Sequence, residues 1–196
     1  AKYACNAFLA TKISFMNEVA NLCETVGAEA GCISEIMGTD SRIGPRYLEA
    51  GPGYGGSCFP KDTKAFAAMG LKSGSRLTVV ETAITANERQ KHLTAEKIRN
   101  TPTPGNTKNR IVGILGLTFK ADTDDMREAP SIAIIRDLAS WGIEVKMYDP
   151  KGLNEARRLF QDLGPLVKYC ENAYDAAKDT DTLVILTEWP EFKTLD

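Results

Sequence analysis

The stretch TPTPGNTKNRIVGIL (101–115) separates two kinds of periodicity in this sequence. Residues 101–109, built from Pro, Gly, Asn, Thr and Lys, read as a linker. Directly after them, 110–115 is a short apolar strand. An alternation follows: helix 131–141, strand 144–148, helix 154–163, strand 167–170, helix 173–178 and strand 182–186. That β-α-β-α-β-α-β order predicts a parallel sheet with helices on its faces. Upstream of the linker the apolar residues keep a helical period instead. Phe8, Phe15, Val19, Leu22 and Val26 predict a helix over 1–26, with Gly27 as its C-cap. A shorter helical run, 32–37, is expected to end at Gly38, and a loop dense in Gly and Pro covers 39–56. Pro60 opens a helix reaching about Met69. Leu77, Val80, Ile84 and Ile98 mark a long amphipathic helix over 76–100. The expected fold class is therefore α/β: an all-helical domain (1–100), a linker (101–109), and a Rossmann-like parallel α/β domain (110–196).

The 196 residues are 43% apolar and carry a net charge of −2 with interspersed signs. That apolar content suits an ordinary core, and the charge balance argues against nucleic acid or an anionic membrane as a partner. No apolar run approaches the roughly 20 residues that span a bilayer, and residues 1–10 lack the regions of a signal peptide. Five cysteines, without C-x-x-C, read as reduced thiols of a cytoplasmic protein. The single histidine, His92, rules out a zinc site of two or three His, leaves one candidate for any catalytic triad, and lies in a polar helical stretch as a surface residue. The chain lacks an initiator Met and opens and stops in mid-pattern, which predicts a fragment of a longer protein.

Residues 51–62, GPGYGGSCFPKD, carry the densest chemical signal. Gly51, Gly53 and Gly56 satisfy G-x-G-x-x-G, but the dinucleotide fingerprint needs a preceding strand and an acidic residue about 20 positions on, and neither is present. The glycines instead suit positive φ or close approach of backbone to a ligand. Cys58 precedes a helix start. The partial positive charge of that helix end and the nearby Lys61 favour a thiolate there, and Asp62 in the first turn could accept a proton or orient a water. Read without function, Cys58 is a small apolar residue beside a glycine turn. Lys2 and Asn6, four apart, share one face of the first helix. Together they could hold a developing oxyanion; by themselves they read equally as a solvated face.

Four blocks make the pattern specific: KYACNAFLATKISFMNEVANLCE (2–24), DSRIGPRYLEAGPGYGGSCFPKD (40–62), GLTFKADTDDMREAPS (116–131) and ILTEWPEF (185–192). In this order and spacing the chain resembles the UDP-glucose/GDP-mannose dehydrogenase family, and within it the UDP-glucose 6-dehydrogenases. The match covers the family's central and C-terminal portions and not its N-terminal NAD-binding domain. The resemblance implies two-step oxidation of UDP-glucose to UDP-glucuronate, with NAD as cofactor. It casts Cys58 as nucleophile, Lys2 and Asn6 as the oxyanion pair, and Asp62 as the carboxylate assisting proton transfer or water activation. Tyr47, Leu48, Glu49, Ala50 and Gly51, with Gly55, match the loop around the sugar nucleotide; Glu49 departs from the basic or neutral residue of some members. Arg42 matches an Arg reaching the substrate of a neighbouring subunit in a homodimer formed through the central helices. Lys120 matches a substrate-contacting Lys, and Lys61 and Arg127 match cofactor contacts. Asp149, after strand 144–148, resembles a ribose-binding acid by position only. Two alternatives remain: a GDP-mannose or UDP-N-acetyl-sugar dehydrogenase, and a non-catalytic helical dimerisation module.

Overall fold

The computed structural model describes residues 1–103 and 110–196. The chain falls into two units, Ala1–Gln90 and Lys91–Asp196. From position 104 the linker expected over 101–109 lies outside the described residues.

The first unit is helical: α1 (Lys2–Val26), α2 (Ala30–Thr39), α3 (Phe59–Lys72) and the opening turns of α4 (Thr78–Asn100). Helix α1 stops where Gly27 turns left-handed at φ 72° and its N–H reaches the Cys23 carbonyl. It packs mainly on α3. Its buried line is Ala7, Ala10, Ser14 and Asn17, with Met16 and Cys23; small side chains let helix backbones approach closely. Phe8, Phe15, Leu22 and Val26, whose spacing locates the helix, are all more than half exposed. Helical period reports the element; it does not say which side is covered. Gly38 does not end α2 but lies inside it, because a Cβ there would come within 3.1 Å of Pro45 Cα. The glycine admits the following loop.

The second unit takes up α4 at Lys91 and adds β1 (Ile111–Leu115), α5 (Pro130–Ser140), β2 (Glu144–Tyr148), α6 (Leu153–Leu159), β3 (Val167–Tyr169), α7 (Ala173–Ala177) and β4 (Thr182–Ile185). The four strands form a parallel sheet in the order β3-β2-β1-β4, with Val112 opposite Val145 on one side and Thr182 on the other. The α/β class predicted by the alternation is the one observed. One main core gathers Val112, Ile114, Ile134, Leu138, Val145 and Phe160, and a second gathers Leu115, Ala176, Trp189 and Phe192. The helix expected over 154–163 ends earlier, at Leu159, and a 3-10 turn follows over Gln161–Leu166. Gly164, at φ 55°, and Pro165, which has no N–H to donate, cannot continue an α-helix. No helix among the described residues is long and apolar enough to cross a membrane.

Candidate active site

Asp62 sits in the first turn of α3, fully buried. A buried carboxylate needs charged or hydrogen-bonding partners, and three side chains supply them. Asn6 donates from Nδ2 to Oδ2 at 2.7 Å, Lys2 Nζ stands 3.6 Å from the same oxygen, and Lys61 Nζ stands 3.2 Å from Oδ1. Burial alone would raise the carboxyl's pKa. The Asn6 hydrogen bond and the ammonium groups of Lys61 and Lys2 outweigh it, and hold the group below the usual carboxylate range. The four-residue spacing of Lys2 and Asn6 thus aims both side chains from α1 at one carboxylate on α3.

Cys58 is the N-cap of α3, one turn before Asp62, and its carbonyl accepts the Asp62 N–H at 2.9 Å. The thiol is exposed, with Ser57 Oγ 3.8 Å from Sγ. The sulfur therefore stands at the open end of α3, and the paired carboxylate lies one turn inside.

The loop leading to Cys58 is tied down by side chains that the sequence reading did not single out. Lys12 Nζ donates to the carbonyls of Ile43, Gly44 and Arg46 at 3.0, 3.4 and 2.6 Å. The Gly51 N–H donates to Asn17 Oδ1 at 2.7 Å, and the Gly51 carbonyl accepts from Gln90 Nε2 at 2.9 Å. Asn87 takes both backbone groups of Tyr54: its Oδ1 accepts the N–H at 2.7 Å and its Nδ2 donates to the carbonyl at 3.0 Å. Phe59 lies between Tyr47 and Tyr54, with ring centroids 6.0 Å away on each side. Tyr47 itself holds a left-handed φ of 65°, an uncommon state for a bulky residue. The available signal is the spacing of Ala83, Asn87 and Gln90, which puts them on one helical stripe of α4, all buried.

The other loop positions differ in their surroundings. Leu48 is buried, Glu49, Ala50 and Gly51 are exposed, and Gly55 is half-buried. Arg42 is exposed and pairs in fork fashion with Asp40, Nε to Oδ1 at 2.9 Å and Nη2 to Oδ2 at 2.6 Å. Lys120 and Arg127 belong to the second unit. Lys120 Nζ lies 5.6 Å from the Phe119 ring centroid, and Arg127 forks onto Asp125. His92 is exposed, as expected of a surface residue, with Nδ1 2.5 Å from Asp137 Oδ2.

Asp149, which resembles a ribose-binding acid by position only, anchors its own loops. Its Oδ2 accepts the N–H groups of Leu117 and Thr118 and the indole N–H of Trp189; its Oδ1 accepts those of Lys151 and Gly152. It is 1% exposed. Gly113 and Gly116, the glycines nearest to a dinucleotide fingerprint, serve packing. A Cβ would meet the Ala176 carbonyl oxygen at 2.7 Å from Gly113, and Thr187 Cβ at 2.6 Å from Gly116. The residues of this second unit therefore do not fit a cradle for a dinucleotide.

Comparison with known proteins matches residues 1–89 to the central domain, and 113–196 to the UDP binding domain, of the UDP-glucose/GDP-mannose dehydrogenase family. UDP-glucose 6-dehydrogenase TuaD of Bacillus subtilis is 45% identical over 195 residues, covering 100% of this chain and 41% of that protein. A UDP-glucose 6-dehydrogenase of Rhizobium meliloti is also 45% identical, over 44% of its own length. The chain thus spans less than half the length of these relatives. Among solved structures, a UDP-glucose dehydrogenase from Pyrobaculum islandicum superposes with a TM-score of 0.91 at 37% identity, covering 100% of this chain and 44% of that one. A UDP-D-ManNAc dehydrogenase from Pyrococcus horikoshii gives 0.78 at 25% identity, covering 100% and 43%.

Proposed function

The chain belongs to the UDP-glucose/GDP-mannose dehydrogenase family, and from that premise we propose that it carries the substrate-side chemistry of an NAD-dependent UDP-glucose 6-dehydrogenase. The reaction is the four-electron oxidation of UDP-glucose to UDP-glucuronate. The observation that carries this reading is the convergence of Lys2, Asn6 and Lys61 on Asp62, one turn inside the helix that Cys58 caps. The choice of UDP-glucose is supported by the higher identity and closer superposition of the UDP-glucose enzyme than of the UDP-D-ManNAc enzyme.

In this proposal the Cys58 thiolate adds to the C6 aldehyde of the half-oxidised sugar, forming a C–S bond, and the resulting alkoxide oxygen is met by Lys2 and Asn6. After the second oxidation the sugar is held as a thioester. A water, deprotonated with the help of Asp62, adds to that carbonyl, the C–S bond breaks, and the thiolate is regenerated with the carboxylate product. In the helical domain (1–100) the loop 47–51 with Gly55 is assigned to the sugar nucleotide, and in the UDP-binding domain (110–196) Lys120 is assigned as a substrate contact. Both oxidations require a hydride acceptor. NAD would supply that acceptor when bound, and Lys61 and Arg127 are its contacts from this chain. The enzyme is cytoplasmic. A second copy covers the exposed stripe of α1, and Arg42 reaches the substrate of that copy.

Calorimetry with UDP-glucose, GDP-mannose and UDP-GlcNAc tests this assignment. UDP-glucose is expected to bind tightest and to protect Cys58 from iodoacetamide. A preference for the guanine nucleotide, or binding without protection of Cys58, overturns it.

A further inference from the structure

Three carboxamides lie inside the helical unit where apolar side chains would ordinarily pack. Asn17 and Asn87 are each 1% exposed, and Gln90 is nearly as buried. All three make hydrogen bonds to the backbone of one loop. Asn87 mimics a strand partner for Tyr54, satisfying both its N–H and its carbonyl, while Asn17 and Gln90 do the same jointly for Gly51. Asn21 extends the chain by donating from Nδ2 to Gln90 Oε1 at 2.8 Å. The loop has no sheet of its own, so these side chains replace the ladder that irregular buried backbone otherwise lacks. Between the two clamped residues Gly53 runs at φ 121°, and two positions after Tyr54 Gly56 runs at φ 83°. The segment therefore relies on conformations that glycine takes easily, and it ends two residues before the cysteine. Asn17 keeps its Nδ2 buried and without a hydrogen-bond partner. A residue chosen only for filling space would not leave a donor in that state.

We propose that Asn87, with Asn17 and Gln90, is a positioning residue: the carboxamides hold the loop 51–56 in the shape that receives the sugar and delivers Cys58 to its C6. This rests on the function proposed above and adds to it the groups that preorganise the sugar-binding loop. The clamp acts at the sugar end, so its loss should weaken binding of UDP-glucose more than binding of UDP alone.

The test uses the 196-residue chain, its Asn87→Ala variant and, because that change leaves a buried backbone pair unsatisfied, the milder Gln90→Ala. Each is titrated calorimetrically with UDP-glucose and with UDP, and amide exchange of residues 51–56 is followed alongside. In a variant whose circular dichroism is unchanged, UDP-glucose affinity is expected to fall about tenfold and UDP affinity to stay within about threefold. Exchange at the Tyr54 amide in Asn87→Ala, or at the Gly51 segment in Gln90→Ala, should quicken. Unchanged affinity for UDP-glucose overturns the proposal, and so does an equal loss for both ligands, which is what general loosening would produce. If the unaltered chain binds no UDP-glucose, the proposed function fails and the positioning role falls with it. Exchange then still separates the two failures, since a Tyr54 amide protected in the parent and released in Asn87→Ala shows the clamp itself to be present.

Discussion

Asn6 and Asp62, 56 positions apart, meet at 2.7 Å, the carboxamide Nδ2 of one donating to the carboxylate Oδ2 of the other. The bond joins α1 to the first turn of α3 and supplies the largest of the influences that keep the buried carboxyl ionised. Asn6→Ala should therefore move the titration of Asp62 upward, toward or past the ordinary carboxylate value, as followed by the carboxyl carbon in an NMR titration. An unmoved titration would show that Lys2 and Lys61 suffice alone.

The same carboxylate makes a signed contribution to acid stability. Its pKa is lowered in the folded state, so the stabilisation is complete above the unfolded value near 3.9 and is lost as pH falls through the folded value. Melting temperatures of the parent and of Asp62→Asn should differ at pH 6, with the parent higher. The gap should close as the pH drops below about 4. A gap that stays constant into acid contradicts the ionised, paired carboxylate.

Asp149 and Gly116 test the second unit. Asp149→Ala strips the acceptor from several buried N–H groups at once and should destabilise by on the order of 4 kcal/mol in urea unfolding. Gly116 has φ 84° and stands against Thr187, so Gly116→Ala meets both backbone strain and a clash. A loss of about 2 kcal/mol or more is expected. If both variants unfold with the parent's midpoint, the packing described for these loops is wrong.

The cysteines should separate by accessibility when the native chain is treated with iodoacetamide and digested for mass spectrometry. Cys5, Cys32 and Cys58 are exposed, Cys23 is buried, and burial pushes the Cys170 thiol up in pKa. The first three should be modified at neutral pH well before Cys23 and Cys170. Early labelling of Cys23 would contradict the packing of α1 on its neighbours.

Much of the architecture was legible because it is written in short-range periods. The change at 101–115 from helical spacing to short apolar runs announces the parallel sheet, and Gly27 announces the end of α1 by the conformation it alone takes easily. The start of α3 was legible too, since Cys58 and Pro60 occupy positions characteristic of a helix start. Legibility failed where one symbol serves two environments. Gly38 looked like a stop and is a point of close approach; Asp149 looked like a ligand and is a loop anchor. Asn17, Asn87 and Gln90 gave no signal, because a polar residue on a helix is usually solvated.

What the linear order determined by itself is the set of elements and their succession, since each depends on neighbours within about one or two turns. Only folding decided which face of α1 is covered, that Lys2, Asn6 and Lys61 share one carboxylate, and that buried amides hold the loop before Cys58. Those relations join residues tens of positions apart, and whether a polar group is a solvated surface or a buried clamp depends on what the rest of the chain places against it.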